Sequence, residues 1–189
     1  MTGFDRFKKV SENIGTTLAI ATGGGLIAFA ASFADLDPPK PGNIPVITAL
    51  AMLITLIFIF QFLDGRGKAA ASRAMVRGLI LAIVSALGYF VILSIFVFKI
   101  PTTGERIFVG CGWESNAAQI AEKFLADPAS GCPGNYKALL ESAQYEAKMI
   151  WSQTGLTAIE MAGLISWLTL FVGIAMIVAA FVTYQTKAK

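Results

Sequence analysis

KIPTTGERIFVGCGWESNAAQIAEKFLADPASGCPGNYKALLESAQYEAKMIWSQTGLTA, residues 99–158, is the one long polar stretch of the chain and holds both of its cysteines, Cys111 and Cys132. Everything around it is apolar. The chain of 189 residues is 56% hydrophobic and only 14% charged, with a mean hydropathy of +0.68, whereas soluble domains carry roughly 25% charged residues. The difference lies in four uncharged runs, each long enough to cross a hydrocarbon core of about 30 Å, which takes about 20 helical residues. The expected fold class is an all-α integral membrane protein, with four transmembrane helices and a small, disulfide-tied, mostly helical extracytoplasmic insert between helices 3 and 4. The spans fall at about 13–34, 44–63 and 78–98, the insert at 99–158, and the last helix with a cytoplasmic tail at 159–189.

Composition removes several chemistries. The chain has no histidine and two cysteines, too few for the four Cys or His ligands of a closed zinc site. Haem held by histidine, Ser-His-Asp hydrolysis and histidine base catalysis are excluded with it. Gly23-Gly24-Gly25 has no neighbouring lysine and lies inside a span, so it does not read as a phosphate loop. The remaining acids of the insert region, Glu105, Glu114, Glu122, Glu141, Glu146 and Glu160, read mostly as solvated helix faces. We expect no catalytic residue, no cofactor, no metal and no enzyme activity. The net charge of +3 follows from topology rather than from a nucleic-acid partner, because basic residues gather on the cytoplasmic side of membrane proteins.

Orientation comes from the same rule. Arg6, Lys8, Lys9, Arg66, Lys68, Arg73, Arg77, Lys187 and Lys189 would all lie inside, against Lys40 alone in the short outer connector. Both termini are therefore expected in the cytoplasm of a bacterial inner (plasma) membrane, with residues 99–158 outside. The charged start and the ending Ser32-Phe33-Ala34 also fit a secretory signal. The apolar run is long for one, so a retained helix is expected. On the outer side disulfides persist, and a Cys111–Cys132 bridge across a separation of 21 residues is worth roughly 3 kcal/mol in the chain-entropy model.

Within the first span Gly15, Ala19 and Gly23 fall on one face, with Gly24 and Ala28 beside them, and small residues at that spacing let helix backbones approach in lipid. Asp35 to Asn43, with Pro38, Pro39 and Pro41, is a stiff connector. In the insert, Glu105 to Val109 predicts a short extended stretch, Ser115 caps a helix through Leu125, and Asn135 caps another. That second helix carries Tyr136, Leu139, Leu140, Ala143, Ala147 and Ile150 on one face. Thr157 to Glu160 reads as a capping box opening the last helix, with Glu160 at the membrane interface. Trp113, Tyr136, Tyr145 and Trp151 are the candidate contact residues of the insert, and Trp151 also suits the membrane surface.

The order of a short outer loop, a short inner loop and a large cysteine-bearing loop between spans 3 and 4 is similar to that of tetraspanins, whose outer loop binds partner proteins. Their Cys-Cys-Gly motif is absent, Cys111-Gly112 and Gly131-Cys132 being what this chain offers. The likeness is one of layout, and no residue role is carried over from it.

The expected function is a non-catalytic membrane protein that assembles with itself or with other membrane protein subunits through its helices and insert. Its partners are then the lipid bilayer and neighbouring subunits. The alternative is a subunit of an oligomeric pore or a membrane-permeabilising effector. No charged ring or carbonyl filter is visible, and hydroxyls such as Thr48, Thr55, Ser85 and Thr169 more often bond to their own helix backbone.

Overall fold

The computed structural model describes residues 38–39, 43–114, 117, 132 and 137–186. The first expected span, with Gly15, Ala19, Gly23, Gly24 and Ala28, lies outside the described residues. So do Tyr136 and nearly all of the first expected insert helix. In chain order the described elements are α1 (Ile44–Leu63), α2 (Lys68–Phe96), β1 (Val97–Lys99), β2 (Arg106–Phe108), α3 (Lys137–Ser142), a 3₁₀ turn (Ala147–Met149) and α4 (Gln153–Thr186). The protein is mostly helical, and α1, α2 and α4 are each long and apolar enough to cross a membrane. They divide between two compact units: 43–87 with 166–186, and 38–39 with the described part of 88–165.

In the first unit, α1 opens with Pro45 in its first turn, where no amide donor is needed. The Asn43 carbonyl accepts from the amides of Val46 and Ile47 at 3.1 Å each. Spacing by four places Ile44, Thr48, Met52, Leu56 and Phe60 in one buried stripe. The other faces of α1 are apolar and open, Ile54 and Phe58 being 62% and 68% exposed, and α2 likewise exposes Val84 and Leu87. Buried hydroxyls bond within their own helices, Thr48 donating to the Ile44 carbonyl and Thr183 to the Ala179 carbonyl, both at 2.8 Å. That is how a hydroxyl is kept in an apolar helix without an unmet donor.

Helices α2 and α4 meet backbone to backbone at Gly78 and Gly173. A Cβ on Gly173 would stand 2.8 Å from the Ala82 nitrogen and 2.9 Å from the Gly78 carbonyl oxygen. Only glycine fits there. Ala71, Ala74 and Ala180 pack with Leu63 nearby, so small residues do bring helices together in this chain, on α2 and α4.

The second unit takes in the last turns of α2, from Gly88, and these run into β1 with no linker. β1 and β2 pair antiparallel, Val97 opposite Phe108 and Lys99 opposite Arg106, and the Val109 amide extends the pairing by donating to the Phe96 carbonyl at 2.8 Å. The chain then pairs Trp113 with Trp151, the amides of Glu114 and Ser152 donating to the carbonyls of Ile150 and Gly112 at 2.9 Å. A disulfide joins Cys111 to Cys132. Val109, Leu139, Leu140, Ile150, Trp151 and Leu156 form the core beneath it.

Three boundaries differ from the sequence reading. α2 starts at Lys68 rather than near Gly78, because Lys68 to Arg77 is rich in alanine, lysine and arginine, which are good helix formers even though they are not membrane-like. α4 starts at Gln153 rather than at the Thr157 capping box: Ser152 is the cap, its Oγ accepting the Gly155 amide at 3.2 Å. The second insert helix stops at Ser142 instead of running to Ile150, because Gln144 and Tyr145 both take left-handed backbone, with φ of 53° and 64°.

Candidate functional site

The residues singled out in the insert do not form a single surface. Trp151 is 1% exposed and sits in the core, so it is a packing residue and not the surface anchor that its position before the last helix suggested. Trp113 is half-buried against the same core. Tyr145 is half-buried and stacked on Phe98, ring centroids 6.2 Å apart with planes 13° apart. Tyr136 lies outside the described residues.

What the fold does assemble is an open cavity of about 610 Å³ in the second unit. Its wall is built from the β1–β2 hairpin, the turn at 144–148 and the first turns of α4. Each element brings a different kind of group. The hairpin supplies Glu105 and Arg106 at the rim and the buried Phe108 below them. The turn supplies Gln144, Tyr145, Glu146 and Lys148, and α4 supplies Gln153 and Glu160. Three carboxylates and two cations thus surround an apolar floor.

The turn holds the least ordinary backbone among the described residues. After α3 the Tyr145 amide reaches back to the Leu140 carbonyl at 2.8 Å and the Ala143 amide to the Leu139 carbonyl at 3.1 Å. Those bonds satisfy carbonyls at the helix end. A left-handed residue other than glycine costs of order 1–3 kcal/mol, and two in succession are held here by the Tyr145–Phe98 stack and the core. The geometry presents Gln144 and Tyr145 to the cavity.

The segment 109–113 lies tight against the start of α4. A Cβ on Gly155 would collide with the Cys111 carbonyl oxygen. This contact lets the disulfide-bearing segment reach the helix. Glu160 is two turns into α4 on the cavity wall, so it is not the capping acid of the sequence reading. Of the six acids considered, Glu105, Glu146 and Glu160 line the cavity, Glu114 and Glu141 do not, and Glu122 lies outside the described residues. Among the described residues no three His, Cys, Asp or Glu side chains come together as a metal site.

Arg106, Gln144 and Lys148 were not singled out from the sequence. The only signal for them was their place in the polar stretch. No protein-family model, curated protein or solved structure matches this chain.

Proposed function

We propose that the protein is a non-catalytic integral membrane subunit that assembles with copies of itself or with a larger membrane complex. On this reading the helices provide contacts within the bilayer and the disulfide-tied unit provides contacts outside it. The observation that carries it is the large apolar surface of α1 and α2, where residues such as Ile54, Phe58 and Val84 are mostly exposed. In water such surface would drive aggregation; in lipid or against neighbouring helices it is matched. The mixed-charge cavity, with an aromatic residue stacked at its rim, offers the second unit a surface for contact with a polar partner.

The orientation proposed is both termini in the cytoplasm of a bacterial inner membrane and residues 99–158 on the outer side. The bridge between Cys111 and Cys132 supports it, since such bonds persist in oxidising compartments. A membrane-impermeant maleimide applied to intact cells should label these cysteines only after reduction. Labelling without reductant, or only after lysis, overturns this placement.

The assembly itself is tested by the mass of the detergent-purified protein, measured by native mass spectrometry. A defined oligomer, or a stoichiometric membrane partner, supports the reading; a lone monomer at all concentrations sinks it. Ion or dye flux from reconstituted vesicles would transfer the assignment to the pore alternative.

A further inference from the structure

Helix α2 has 29 residues, about 43 Å at 1.5 Å per residue, and so exceeds the roughly 30 Å of hydrocarbon it would cross. Its uncharged part, 78–96, accounts for about 28 Å of this length. On the membrane reading above, the residues from Lys68 to Arg77 therefore stand at the depth of the lipid head groups.

Two of them are arranged for more than topology. Arg73 and Arg77 are both exposed and, four residues apart, are neighbours on one helix face. That face continues through Ile80, Val84, Leu87 and Val91, all exposed. One stripe thus changes from cationic to apolar at the point where a phospholipid changes from head group to acyl chain. The Arg73 Nε donates to the Ala69 carbonyl at 3.3 Å, which holds the guanidinium against its own helix and leaves its terminal nitrogens for a ligand. No Asp or Glu occurs between Gly65 and Gly104, so α2 carries no counter-ion of its own.

We infer that Arg73 and Arg77 bind the phosphate of an anionic phospholipid whose acyl chains lie along Ile80, Val84 and Leu87. Two cations without a carboxylate on their helix favour a lipid with net negative charge, since a zwitterionic head group brings its own ammonium. Arginine matches phosphate through two parallel N–H donors, which lysine does not.

The test uses the full-length protein in neutral detergent, titrated with phosphatidylglycerol or phosphatidylcholine and read by native mass spectrometry. The wild type should retain phosphatidylglycerol in preference to phosphatidylcholine by roughly 25-fold, at about a factor of five per basic residue near an anionic surface. The R73Q/R77Q variant should lose the preference, and R73K/R77K should keep only part of it. Excess inorganic phosphate should not displace the lipid; displacement would show an anion site without the acyl contact. Equal retention by wild type and R73Q/R77Q, or full retention by R73K/R77K, overturns the inference. The single variants R73Q and R77Q serve if the double variant fails to fold. Failure of the membrane reading is separate: the protein would then stay in solution when detergent is removed, whereas insertion without lipid preference defeats only the phosphate site.

Discussion

Trp167 donates its indole N–H to the Thr48 hydroxyl oxygen at 2.9 Å, while that hydroxyl donates to the Ile44 carbonyl at 2.8 Å. The pair is buried and joins α4 to α1 within the first unit. Thr48→Val preserves shape but takes this acceptor away from the indole. We expect a loss of about 1–3 kcal/mol, the range for depriving a buried donor of its partner, read as a lower unfolding temperature in detergent. In a double-mutant cycle with Trp167→Phe, the pair of changes should cost less than the sum of the two alone. Additivity would show that the bond contributes nothing.

The Gly78–Gly173 crossing predicts a sharp positional effect. Gly173→Ala places a methyl against the Ala82 nitrogen and the Gly78 carbonyl, which are backbone atoms and cannot rotate aside. A loss of about 1–3 kcal/mol is expected from overpacking. Gly67→Ala is the control: nothing stands within 4 Å of a Cβ there, and its effect should stay within about 0.5 kcal/mol.

Gly155→Ala should destabilise the second unit even though alanine favours a helix over glycine by about 1 kcal/mol. The added methyl meets the Cys111 carbonyl, so the segment around Cys111 and the helix must separate. Near-ultraviolet circular dichroism of Trp113 and Trp151, together with faster proteolysis of residues 99–158, reports that separation. An unchanged spectrum with higher stability would contradict the packing.

The left-handed pair after α3 predicts a change in the other direction. Gln144→Gly removes a side chain from a backbone that glycine adopts without cost. Stability should rise by up to about 1 kcal/mol, the strain released being partly offset by the greater freedom of the unfolded chain. A fall in unfolding temperature would mean that the Gln144 side chain contributes more than its backbone costs.

How far these features could be read from sequence depends on how local their cause is. The run at 44–63 is bounded by Pro45 and by Asp64-Gly65, and α1 spans it. Cys111 and Cys132 could pair only with each other, and they do. The start of α2 was hidden because hydropathy reports only the apolar part of a helix, whereas Lys68 to Arg77 is helical and carries Lys68, Arg73 and Arg77. The end of α3 was hidden for a different reason. Periodicity continued to Ile150, but the helix stops short of Tyr145, which stacks on Phe98, a residue far away in sequence. The cavity draws its wall from 100–160 and from Pro39, so no local pattern encodes it. The crossing at Gly78 and Gly173 was partly legible: Ala74, Gly78 and Ala82 carry the same spacing of four that drew attention to Gly15, Ala19 and Gly23.

The passage from α2 into β1 has a mechanical consequence. Phe96 closes the helix and Val97 opens the strand, and the Phe96 carbonyl is engaged by the Val109 amide. There is no slack in the chain at this joint. A helix ending in a glycine hinge can turn about its long axis while the domain beyond it stays still. Here a twist of the last turns of α2, from Gly88 to Phe96, is passed on as torque to the hairpin of the same unit, carrying Arg106 and Phe108, and with them one wall of the cavity.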